Sequence, residues 1–84
     1  MACVYVLYSA LSKKYYMGSS REETPTKRLL EHNGGNVRST KAGRPWVIAY
    51  LEKAATYTEA RQKEIFLKSG QGRLWIKQNV RRDA

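Results

Sequence analysis

The sequence predicts a small α/β domain of the α+β kind: three strands in a largely antiparallel sheet, flanked by helices, in the order β-β-α-β-α-α. Three observations carry this. Two short runs rich in β-branched and aromatic residues open the chain with only a polar turn between them, and a third such run lies mid-sequence. The later apolar residues instead recur at helical spacing. At 84 residues the chain holds one modest core, read as a single domain over 1–84, with no room for a second domain or a deep closed cofactor pocket. Any site must therefore be shallow and built at the surface.

Residues 2–8, ACVYVLY, are apolar on both faces, as a central strand requires. Residues 14–18, KYYMG, make the second strand and residues 9–13 the turn; a symmetric hairpin pairs Tyr5 with Tyr16 and leaves Gly18 on the same face as Tyr16. Thr24-Pro25 is a helix start, a capping hydroxyl before a residue whose missing N–H costs nothing in the first turn, and Asn33-Gly34-Gly35 is its end. Arg28 and His32, four apart, share one face of this helix. Residues 33–45 lack apolar periodicity, carry Arg38, Lys41 and Arg44, and read as a long mobile basic loop.

Residues 46–52, WVIAYLE, form the third strand. Thr56 and Glu59 offer a capping box for a helix over about residues 57–69, on which Ala60, Glu64 and Leu67 fall at i, i+4 and i+7. Glu64 thus lies on the apolar stripe, where a carboxylate is costly unless a cation meets it. Gly70-Gln71-Gly72 breaks the helix, residues 73–80 make a short amphipathic piece, and residues 81–84 a frayed tail.

With 16 Lys plus Arg against 7 Asp plus Glu, the formal charge is +9. That imbalance repels itself in the compact state, and a polyanion relieves it. Nucleic acid is the partner this favours, because neutralised phosphates release counterions; a basic solvated surface is the other reading. The one cysteine, Cys3, excludes an internal disulfide and a thiolate metal site, which fits a reducing cytoplasm. No apolar run approaches a membrane span and no cleavable leader precedes the first strand, so a cytoplasmic protein is expected; without a long heptad or a self-complementary strand edge, a monomer is the default.

Tyr5, Tyr16, Arg28, His32 and Glu64 form the candidate reactive set. Each also has a structural reading: core tyrosines, a surface arginine, a structural histidine. Together they match what phosphodiester cleavage needs, namely a base near the attacking water, a cation near the non-bridging oxygens and stabilisation of the leaving oxygen. Tyrosine or histidine could be the base, Arg28 the clamp and Glu64 the ligand of one Mg²⁺, an ion that keeps several waters and needs one or two protein oxygens. A phenol needs help to act as a base, its reference pKa being about 10.

Cys3-Val4-Tyr5 and Tyr16-Met17-Gly18 resemble the paired motifs of the GIY-YIG nuclease superfamily, with the tyrosines in register. Lys27-Arg28-Leu29-Leu30-Glu31-His32-Asn33 resembles the helix carrying that family's arginine, and the stretch from Glu59 through Glu64 to Gly70 the helix carrying its metal-binding glutamate. The similarity spans nearly the whole chain and is closest to the small stand-alone domains. The resemblance implies an endonuclease using Mg²⁺, or another divalent metal such as Mn²⁺, that hydrolyses DNA to a 5′-phosphate and a 3′-hydroxyl. Tyr5 is then the candidate base, Tyr16 and His32 position water or phosphate, Arg28 steadies the phosphate and Glu64 holds the metal.

Cys3 and Val4 depart from the family's glycine and isoleucine, and Asn79 only loosely matches the asparagine that many active members carry near the end of the domain. Arg38, Lys41 and Arg44 are the candidate nucleic-acid contacts, and Trp46 is a core residue or an aid to substrate choice. Phosphate contacts carry no sequence information, so selection by DNA structure or strand breaks, in repair or recombination or with a protein partner, is the expectation. The alternative is a non-catalytic DNA- or RNA-binding module of the same fold.

Overall fold

The computed structural model describes residues 1–80, so the tail expected over 81–84 lies outside the described residues. Strand β1, Ala2–Ser9, is buried along its whole length because it is the middle of a three-stranded antiparallel sheet, ordered β2-β1-β3, covered on both faces. Strand β2, Lys14–Ser20, and strand β3, Trp46–Ala54, are the two edges. The β-β-α-β-α-α order is the observed one, and every strand pairing is antiparallel.

The alternation of a strand sorts β1 into two cores. Val4 and Val6, with Met17, meet Leu67, Ile76 and Val80 from the two C-terminal helices. Cys3, Tyr5 and Leu7 pack on the opposite face with Trp46, Tyr16 and Leu29, beneath helix α1, Thr26–Asn33.

The hairpin register differs from the symmetric one. Tyr5 faces Gly18, and Tyr16 faces Leu7, so the tyrosines are diagonal neighbours on one face and not direct partners. The shift arises because Ser9 belongs to β1: its buried hydroxyl donates to the Gly43 carbonyl at 2.5 Å and accepts from the Ser12 N–H. The turn then runs through Lys13, held at a left-handed φ of 56°.

Helix α1 has Pro25 at its N-cap position and no side-chain cap; the Thr24 hydroxyl contacts that of Thr26 instead. Its end is as expected, with Gly34 N–H bonded to the Leu30 carbonyl and Gly35 at φ +80°. Helix α2, Tyr57–Lys68, is capped by Thr56, which accepts from Glu59 N–H and donates to the Glu59 carboxylate. The glycines after it do not form a linker: helix α3, Gly70–Asn79, starts within them, capped by Ser69. A Cβ on Gly72 would lie 2.5 Å from Leu67 Cα, so only glycine lets α3 turn back this tightly against α2.

The basic stretch read as a mobile loop contains a 3-10 turn, Arg38–Gly43, tied down by polar anchors. Asn33 and Trp46 exchange two hydrogen bonds, Asn33 Oδ1 accepting from Trp46 N–H at 2.6 Å and Asn33 Nδ2 donating to its carbonyl at 3.0 Å. The Trp46 indole donates to the Thr40 carbonyl at 2.7 Å, which seats the tryptophan in the core. Because these anchors are polar, apolar periodicity gives no sign of them.

Candidate functional site

A cleft of about 190 Å³ beside the β2 edge is lined by all five residues of the candidate set, Tyr5, Tyr16, Arg28, His32 and Glu64. Two come from the hairpin, two from one face of α1 and one from α2.

Tyr5 is 2 % exposed. Burial pushes its phenol up to about 12, with the neighbouring Tyr16 and Glu64 adding and Arg28 opposing, so at neutral pH it is an O–H donor. Gly18 leaves no open path for a phosphate backbone beside the tyrosines. The Tyr5 ring fills that space, and a Cβ at residue 18 would lie 2.6 Å from the Tyr5 hydroxyl oxygen.

Tyr16 packs on the His32 ring at 4.7 Å between centroids. His32 is 3 % exposed, and its Nδ1 lies 2.7 Å from the Thr40 hydroxyl. Thr40 donates to the Val37 carbonyl at 3.3 Å, so it accepts from His32 Nδ1–H and leaves the lone pair on Nε2. Burial, and then the Arg28 charge, lower the His32 pKa against the opposing pull of Glu31; the ring is neutral at neutral pH.

Glu64 is 5 % exposed and stays ionised. Desolvation raises its pKa, but donors from Lys68, Ser19 and Arg61 outweigh it and bring the carboxyl below its ordinary value. Ser19 Oγ donates to Oε1 at 2.5 Å, Arg61 reaches Oε1 at 3.0 Å and Lys68 reaches Oε2 at 2.8 Å. This is the cationic company that a carboxylate on an apolar stripe requires. A carboxylate has about four lone-pair directions. Three are taken, and one remains for a hard cation; Glu64 fits as the one protein carboxylate of an ion such as Mg²⁺ or Mn²⁺ that keeps its waters, and no cluster of three His, Cys, Asp or Glu gathers among the described residues.

Arg28 makes a surface pair with Glu31 at 3.6 Å, both side chains well exposed, so the guanidinium is free to leave it at little cost. Arg38, Lys41 and Arg44 do not line the cleft; they sit on or beside the 3-10 turn, exposed, with Arg44 Nε donating to the Lys41 carbonyl. Asn79 is also outside the cleft, its amide donating to the Trp75 carbonyl.

Ser19, Tyr57, Arg61 and Lys68 were not singled out by sequence reasoning. Arg61 and Lys68 stand at i−3 and i+4 from Glu64, spacing that could have found them. Ser19 gives no such signal, since its bond to Glu64 joins positions 45 residues apart.

At the β2 edge the cleft brings the phenols, arginine and histidine of the α1 side of the sheet together with an ionised, largely buried carboxylate from α2 on the other side. The sequence model of the GIY-YIG catalytic domain matches residues 1–79, and the chain belongs to that family, a family of endonucleases whose substrate is nucleic acid. Comparison with curated proteins and with solved structures yields no significant match. No helix among the described residues is long and apolar enough to cross a membrane.

Proposed function

We propose that this protein is a divalent-metal-dependent DNA endonuclease, directed by the structure or strand state of its substrate, with a role in repair or recombination. The observation that carries the reading is the ionised Glu64 carboxylate at the wall of a cleft shared with Tyr5, Tyr16, Arg28 and His32.

In this reading Glu64 holds the metal, which when bound supplies Lewis-acid stabilisation of the phosphate and the departing oxygen. Arg28 releases Glu31 and neutralises a non-bridging oxygen. Tyr5, protonated at working pH, donates a hydrogen bond to the phosphate or the attacking water, and Tyr16 orients the same water. The base role passes from the Tyr5 phenol to His32, whose neutral ring carries a lone pair on Nε2. Attack at phosphorus then leaves a 5′-phosphate and a 3′-hydroxyl.

The second reading is a binding module of the same fold. It draws on the Arg61 and Lys68 pairs of Glu64, which would make that carboxylate an organiser of two phosphate-binding cations. The deciding experiment incubates labelled single-stranded, duplex, nicked, flapped and branched DNA, and RNA, with the protein and with Glu64→Gln, in Mg²⁺ or EDTA. Metal-dependent cutting that vanishes in Glu64→Gln, with binding kept or tightened, supports the nuclease and names its substrate. Binding without cutting by the native protein, while a control nuclease works, supports the module.

A further inference from the structure

On the face of the sheet that α2 and α3 cover, the start of β2 and the side of α3 line a pocket of about 650 Å³. Its rim carries four cations, Lys13 and Lys14 from the hairpin and Arg73 and Lys77 from α3, over a floor that includes Met17 and Ile76. None of the four pairs with a carboxylate among the described residues. Tyr15 also lines the pocket, and its buried hydroxyl has no hydrogen-bond partner among the described residues. Four cations around one concavity repel each other. A phosphate group in the pocket supplies the opposite charge they lack.

The pocket is related to the cleft through β2, an edge strand. Tyr15 and Gly18 are three residues apart on it, roughly 10 Å at the rise of a strand. A polyanion lying along this edge therefore meets both the pocket and the cleft. An acidic protein surface has no comparable reason to be drawn to the same edge. We propose that the Lys13–Lys14–Arg73–Lys77 groove is a second phosphate-binding site that grips the backbone of the same nucleic acid whose reacting phosphate sits in the cleft. This rests on the nuclease reading above.

The test uses Lys14→Gln/Lys77→Gln, both positions being exposed and outside the cleft. Binding is measured by fluorescence anisotropy in EDTA over a range of salt. The probe is a duplex of about 20 base pairs, which at 3.4 Å per step exceeds the protein's 32 Å length. Hydrolysis of a small phosphodiester, bis(p-nitrophenyl) phosphate, is followed in Mg²⁺. The groove predicts duplex affinity lower on the order of tenfold and a log-log salt slope shallower by about one to two, with small-diester hydrolysis unchanged. If the melting temperature falls in the double variant, Lys13→Gln/Lys77→Gln takes its place.

Unchanged affinity and slope would overturn the proposal. So would duplex binding that persists while affinity for an acidic peptide is lost, which would assign the groove to a protein partner. Native protein that binds duplex through the groove but hydrolyses neither substrate would uphold the groove and reject the nuclease reading, so the two fail separately.

Discussion

Tyr5 and Gly18 are cross-strand partners in which the ring of one occupies the volume a side chain on the other would need. The phenol at the base of the cleft is thereby held by an absence of atoms. Gly18→Ala should push the Tyr5 hydroxyl aside, at a stability cost of about 1–3 kcal/mol. The cleavage rate should fall on the order of a hundredfold, as for other displaced positioning groups. Kinetics beside a thermal melt check this, and a folded variant of native rate would separate Tyr5 from the reaction.

Arg28 is expected to matter through charge and shape. Arg28→Ala should lower the cleavage rate about a hundredfold or more. Arg28→Lys should recover only part of it, because the planar fork is lost. Stability should hardly change, the Glu31 pair being a surface one. Single-turnover rates on the preferred substrate decide, and equal rates for all three would remove Arg28 from the mechanism.

Ser19 and Glu64 make a pH-dependent pair. Because the folded-state pKa of Glu64 lies below its ordinary 4.5, the carboxylate stabilises the protein at pH above 4.5. That contribution fades as pH falls through the folded value. Urea titrations from neutral pH downward should show this acid loss reduced in Glu64→Gln and shifted to higher pH in Ser19→Ala, which keeps the carboxylate but loses a donor. Parallel profiles for all three proteins would contradict the assignment.

His32 should appear in the rate profile. Its folded pKa lies below the ordinary 6.5, so the base form persists into mildly acid solution and the acid limb of the rate should fall below pH 6.5. Thr40→Val removes the acceptor that places the lone pair on Nε2, and should depress the rate across the whole range while leaving a residual limb. His32→Gln should abolish the limb. A limb retained in His32→Gln would assign the base elsewhere.

Gly72 governs stability away from the cleft. A methyl group there would overlap the Phe66 carbonyl oxygen and crowd Leu67 Cα, backbone that cannot step aside. Gly72→Ala is expected to cost about 3 kcal/mol or more. Gly70→Ala, with nothing within 4 Å of the added carbon, should be close to neutral. Denaturant midpoints of the two variants give the comparison directly.

Much of this molecule is written locally. The apolar run of β1, the Thr56 cap, the helical step from Arg28 to His32 and the place of Glu64 on the buried stripe of α2 each follow from the chemistry of a few adjacent residues. They established the element order and the membership of the candidate cleft. The register of the hairpin was not local. It turns on the Ser9 hydroxyl reaching the Gly43 carbonyl 34 positions away, which lengthens β1 and sets Tyr5 against Gly18 in place of Tyr16.

The same holds for the basic stretch around Arg38, Lys41 and Arg44, quieted by polar clasps between Asn33, Thr40 and Trp46 that leave no periodic trace. The Ser19 bond to Glu64 and the cations gathered round Tyr15 were equally hidden. The sequence by itself determined which elements form and which faces their reactive groups share, because backbone propensity and side-chain period act within a turn or two. Only the tertiary structure decided which of those groups touch, because each contact joins segments whose separation along the chain carries no pattern until the sheet has closed.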